Sequence, residues 1–173
     1  MAKYCVVNTD LMSGVKQPAD LVSLRFYEMD NDEAVAVEVE NGVIAKLGDL
    51  ENREVFAAVA AAATDDPNEC VVIANPELMY DERKRVLEDY INPAGKAIRG
   101  YRIKNKNIMS WTAEGFVGGT APEKGGAVGI GVGGKLDAAG TGLGKCIDIW
   151  KAGKRTFYAI QFTKVVPAAE DSE

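Results

Sequence analysis

Ala34-Val35-Ala36-Val37-Glu38-Val39-Glu40-Asn41-Gly42-Val43-Ile44-Ala45-Lys46-Leu47 is the stretch on which the fold reading turns. Its first half sets Val35, Val37 and Val39 on one side and Ala36, Glu38 and Glu40 on the other, the period of a half-buried strand. A second apolar run follows Asn41-Gly42, two residues that tolerate the positive φ of a tight turn, so the stretch is expected to form a β-hairpin.

Working outward, Leu21 to Glu28 alternates in the same way, with Val22, Leu24 and Phe26 opposite Ser23, Arg25 and Tyr27. Lys3 to Val7 reads as a first strand, and Cys70 to Ala74 as a short buried one ending at Asn75-Pro76. Residues 51–63 are ambiguous, since alanine favours helix while the neighbours favour strand; a strand at 53–59 is preferred. Glu77 to Tyr90 is the best helix, with Asn75 as N-cap, Pro76 in the first turn and Asn92-Pro93-Ala94-Gly95 as the stop. Lys96 to Ile103 and Asn107 to Thr112 read as strands, and Lys145–Trp150 and Arg155–Val166 as a second hairpin around Lys151-Ala152-Gly153-Lys154.

Residues 115–144 hold twelve of the eighteen glycines, yet Val128, Ile130, Val132, Leu136 and Leu143 interrupt them. That mixture implies tight turns and close backbone approaches rather than disorder. The expected fold class is mainly β (a β-rich α+β): a compact barrel or sandwich of short antiparallel strands with one short helical excursion near 77–90. The domain reading is an N-terminal arm at 1–20, a single β-rich domain at 21–167 and an acidic tail at 168–173. No period of 20–50 residues repeats.

A chain of 173 residues can bury a core without staples. No apolar run reaches the roughly 18 residues of a membrane-spanning helix, and no apolar signal segment opens the chain, so folding in a cytosol and no membrane partner are expected. The three cysteines, Cys5, Cys70 and Cys146, stand far apart beside Val or Ile, which suits core packing rather than redox or zinc chemistry. The net charge of −6 disfavours nucleic acid as a partner. The one basic cluster, Arg83-Lys84-Arg85, is surrounded by Asp81, Glu82, Glu88 and Asp89, the pattern of a solvated, salt-bridged face.

The chain contains no histidine, which excludes Ser-His-Asp and Cys-His nucleophiles and His-ligated metals. Gly129-Ile130-Gly131-Val132-Gly133-Gly134 satisfies G-x-G-x-x-G, but the dinucleotide motif needs a helix after it, and here more glycine follows. A glycine-rich strand is the preferred account. Asp30-Asn31-Asp32-Glu33 lacks the ligand spacing of an EF-hand and reads as a turn, as does Asp65-Asp66-Pro67-Asn68. No catalytic residue, cofactor or metal site is therefore assigned.

Four segments together carry a resemblance: 8–15 (Asn8-Thr9-Asp10-Leu11-Met12-Ser13-Gly14-Val15), 48–55 (Gly48-Asp49-Leu50-Glu51-Asn52-Arg53-Glu54-Val55), 75–83 (Asn75-Pro76-Glu77-Leu78-Met79-Tyr80-Asp81-Glu82-Arg83) and 94–102 (Ala94-Gly95-Lys96-Ala97-Ile98-Arg99-Gly100-Tyr101-Arg102). In this order they resemble small proteins encoded in the head-gene cassettes of tailed phages and prophages of Gram-positive bacteria. The resemblance implies a capsid decoration protein, a structural virion protein that stabilises the expanded shell from outside. It implies the major capsid protein as partner, self-association as a trimer, and a place on the capsid exterior after synthesis in the bacterial cytoplasm. It supplies no site residue. From the residues themselves, Leu11, Met12 and Val15 are the candidate capsid-contact arm, apolar in a turn-rich segment; packing of that segment on its own domain is the alternative.

Two other classes stay open. A non-catalytic glycan- or receptor-binding β-module would expose Trp111 or Trp150. A small enzyme of carboxylate or lysine chemistry would gather groups such as Glu114 or Lys124 in a pocket.

Overall fold

The computed structural model describes residues 3–8, 20–31, 33–77 and 89–163. These form β1 (Leu21–Asp30), β2 (Glu33–Ala36), β3 (Ile44–Asn52), β4 (Val55–Ala60), β5 (Cys70–Ile73), β6 (Ile98–Arg102), β7 (Ile108–Trp111), β8 (Ala127–Ile130), β9 (Leu136–Asp137), β10 (Gly144–Ala152) and β11 (Arg155–Phe162). The protein is mainly β, as the alternating sequence requires. Strands β1, β4, β3, β5 and β6 close into a five-stranded barrel, because β1 pairs with β4 on one edge and β6 on the other; β2 extends β1 beyond the closure. Strands β7-β11-β10-β8-β9 make a second, antiparallel sheet. The β1–β4 pairing is parallel, a departure from the all-antiparallel expectation.

The inward face of β1 is the one its alternation marks, with Leu24 and Phe26 buried and Val22 half-buried. The barrel is narrow, and small residues make it so. Gly100 sits where a Cβ would stand 2.8 Å from Leu24 and 2.9 Å from Val71. β5 has no exposed face: Val71 and Ile73 fill the barrel, while Cys70 and Val72 point out into a seam shared with the second sheet. Trp111 closes that seam, donating its indole N–H to the Gly42 carbonyl at 3.0 Å and meeting Phe162 edge-on at 6.0 Å.

The hairpin expected at Asn41-Gly42 does not form. The turn is present, with Gly42 at φ +90°, but β2 pairs with β1, and β3 pairs with β4 and β5. Val39 instead bridges Asn92. The reason lies in the side chain of Asn41, which donates to the Asn75 carbonyl (2.9 Å) and accepts from the Asn75 N–H and the Asn92 amide (3.0 Å each). Gly42 N–H then donates to Ile73 at 2.7 Å, which leads the chain onto β5. Asn41 and Asn92 are fully buried, so a turn dipeptide has become the tie between three segments.

The second expected hairpin forms, with Ala152 opposite Arg155 across Gly153-Lys154; its second strand ends at Phe162, and residues 164–166 of the expected run lie outside the described residues. The strands expected at 21–28, 53–59, 70–74, 96–103 and 107–112 are present within a few residues. Lys3 to Val7 forms no strand; Val7 bridges Trp111, Val6 exchanges hydrogen bonds with Thr112, and Cys5, Val6 and Val7 are buried. Residues 78–88 of the expected helix, the basic cluster Arg83-Lys84-Arg85, the arm residues Leu11, Met12 and Val15, and the tail 168–173 lie outside the described residues.

Candidate functional site

Surface clefts are the first place to look for convergent chemistry. One of about 290 Å³ lies where the loop 63–67 meets Ile130 and 141–143. Its two carboxylates are already engaged. Asp65 holds Lys46 at 2.7 Å and the Ala62 N–H at 2.8 Å, and Asp66 accepts the Asn68 N–H at 2.9 Å, capping the 3₁₀ turn Pro67–Glu69. This is the turn chemistry read from Asp65-Asp66-Pro67-Asn68. A shallower groove of about 650 Å³ runs past Leu21, Leu50, Arg53, Phe56 and Arg99. A third, of about 210 Å³, brings Glu28, Glu38, Glu40 and Lys135 around Phe26 and Val43. There Glu40 accepts the Cys5 N–H and pairs with Lys135, both at 2.8 Å.

Each sequence candidate can be placed. Trp111 is fully buried, and Trp150 is half-buried and stacked on Phe157 at 4.6 Å. Lys124 pairs with Asp148 on the surface at 2.8 Å, and that hydrogen bond raises its pKa. Neither Lys124 nor Glu114 lines any of the three clefts. Asn31, at φ +48°, turns β1 into β2. The three cysteines are buried and free. Burial raises all three thiols, that of Cys70 to about 12, so none is a ready nucleophile.

The G-x-G-x-x-G segment is β8 followed by a 3₁₀ turn, Val132–Gly134, and then β9, with no helix to face a pyrophosphate. Its glycines serve packing. A Cβ on Gly129 would stand 2.8 Å from the Thr141 backbone, and one on Gly134 would strike the Ile44 carbonyl. The turn is therefore wedged against the barrel. It also has a twin that went unread in the sequence. Val117–Gly119 is another Val-Gly-Gly 3₁₀ turn, and both middle glycines adopt left-handed values, φ +62° at Gly118 and +67° at Gly133. The signal was present as the repeated tripeptide itself.

The twin turns touch. A Cβ on Gly131 would stand 2.5 Å from Val117, and Phe116 bridges Leu136. Together they present two valines to solvent, Val117 at 36% and Val132 at 85% exposure. Val132 is the most exposed large apolar side chain among the described residues, and Val117 lies beside its turn.

Comparison of the chain with family models, with curated proteins and with solved structures gives no match. Among the described residues no group of three or more metal-ligating side chains gathers, and no helix is long and apolar enough to cross a membrane.

Proposed function

We propose that this protein is a structural component of a tailed-phage head, a decoration protein that binds the outer surface of the capsid and stabilises the expanded shell. It acts by binding, with the major capsid protein as its partner. The four segments that resemble head-cassette proteins support the reading from the sequence side. From the structural side it is carried by one observation, the pair of valines on the Val-Gly-Gly turns. A decoration protein needs a preformed contact that costs little ordering on docking, and a turn wedged by Gly131 and Gly134 provides one.

The test is co-sedimentation of the purified protein with expanded capsid shells that lack it. Saturable binding at a fixed number of copies per capsomer is expected, and Val132→Asp should weaken it about tenfold, the order of loss when an interface residue worth more than about 1 kcal/mol is removed. Absence of binding to expanded and unexpanded shells alike would overturn the reading.

A further inference from the structure

Two hairpin ribbons reach beyond the body of their sheets, and they carry opposite charge. In the β1–β2 ribbon the register sets Glu28 opposite Val35 and Asp30 opposite Glu33. Cross-strand partners share a face, and residues two apart share it as well. One face therefore carries Val35, 44% exposed, inside a frame of Glu28, Asp30 and Glu33, and no Lys or Arg occurs between residues 27 and 36. The outer edge of β2 has no partner strand among the described residues.

The tip of the β10–β11 hairpin is the converse. β8 pairs with β10 only at Gly144 and Lys145, and β7 with β11 only from Tyr158 to Gln161, so residues 149–156 stand as a two-stranded ribbon. On one of its faces Ile149, 38% exposed, is followed two residues on by Lys151, with Lys154 in the loop above. No carboxylate occurs between residues 149 and 156. The nearest in sequence, Asp148, is paired with Lys124.

We propose that these ribbons recognise each other between two copies of this chain: the acidic face around Val35 of one copy docks on the basic tip around Ile149 of the next. Val35 lies among carboxylates and Ile149 lies beside lysines, the kind of charge complementarity that steers encounter and fixes register in protein–protein contacts. The contact is heterologous, so repetition closes a ring or extends a filament according to the rotation between copies. It uses neither Val117 nor Val132 as an anchor, although Glu28 shares a cleft with Gly133 and Lys135 beside the Val132 turn, and it needs no shell.

Sedimentation velocity of the full chain tests it, over a concentration series in low salt, where the Debye length is about 30 Å, and again at about 1 M, where it is about 3 Å. The expected result is association that strengthens with concentration in low salt and weakens at least about tenfold in high salt. Glu28→Lys with Glu33→Lys should abolish it, as should Lys151→Glu with Lys154→Glu. An equimolar mixture of the two double variants keeps one wild-type contact, the basic tip of the first on the acidic face of the second, and adds an inverted one, so it should associate, which globally misfolded variants could not do. A wild-type monomer at every concentration and salt would overturn the proposal. So would association that survives both reversals, or a mixture that stays monomeric. Shell binding is measured separately, so failure here and failure of the decoration role are distinguishable.

Discussion

Inside the barrel the chain places Leu24, Phe26, Val43, Ala45, Ala58, Val71, Ile73 and Ile98; in the seam it places Trp111, Phe116, Phe162, Met109, Leu136 and Ile160, with all three cysteines. β5 supplies both regions from alternate residues. The barrel interior is lined mainly by branched and small side chains with one buried ring, Phe26, whereas the seam gathers Trp111, Phe116 and Phe162. A narrow barrel of short strands has little apolar area of its own, and the second sheet covers its outer face. The barrel and sheet therefore stabilise each other through the seam, and the seam is where truncation should hurt most.

Trp111→Ala gives the largest expected effect. It removes a fully buried indole and leaves the Gly42 carbonyl without its donor. A loss of about 3–5 kcal/mol in urea unfolding is expected from the cavity alone. Cys5, Cys70 and Cys146 report on the same region, because each is shielded by the seam. In the wild type a thiol reagent should react with them only on unfolding. In Trp111→Ala they should react faster at denaturant concentrations where far-ultraviolet circular dichroism is still native. Reaction at the wild-type rate, with a stability loss under about 1 kcal/mol, would show that the seam does not hold the two halves together.

This division between barrel and seam was only partly legible in the sequence. The β10–β11 hairpin could be read because its signals are local: alternating strands and a loop with Gly153 at φ +59°. The β3–β4 hairpin turns instead through Arg53 at φ +55°, a conformation that arginine does not announce, and register shifts between Leu47 and Leu50 and between Leu50 and Asn52 blur the alternation. Asn41-Gly42 has the strongest turn chemistry in the chain, yet its partners Asn75 and Asn92 are 34 and 51 residues away. Local chemistry named that turn, and long-range hydrogen bonds decided what it joined. The parallel β1–β4 pairing is non-local in the same sense. The twin Val-Gly-Gly turns were legible as a repeated tripeptide, but their adjacency comes from Phe116 bridging Leu136, which no spacing reveals.

Gly100→Val probes the other side of the comparison, and a smaller effect is expected. The added side chain would press on Leu24 and Val71 in the barrel, where overpacking typically costs about 1–3 kcal/mol. Because Gly100 faces the interior and not the seam, thiol reactivity below the unfolding transition should stay at the wild-type rate. Early exposure of the cysteines in this variant would mean that strain passes through β5 and that barrel and seam are one cooperative unit.

The smallest expected effect lies on the rim of the seam, at the Lys46–Asp65 pair between β3 and the loop after β4. The hydrogen bond from Lys46, followed by that from the Ala62 N–H, holds the Asp65 carboxyl below its ordinary value. A depressed carboxylate contributes stability that is present above its unfolded pKa of about 4 and is lost as pH falls through the lower folded value. The difference in urea midpoint between wild type and Asp65→Asn should therefore be constant from neutral pH to about pH 5 and shrink below about pH 4. Lys46 is 40% exposed, so solvent screens the pair and the difference is modest throughout. A difference that grows on acidification would mean that the carboxylate is not stabilised as its anion. The loop that borders the cleft at Ile130 would then be held by the Asp66 cap and the barrel strands rather than by this pair.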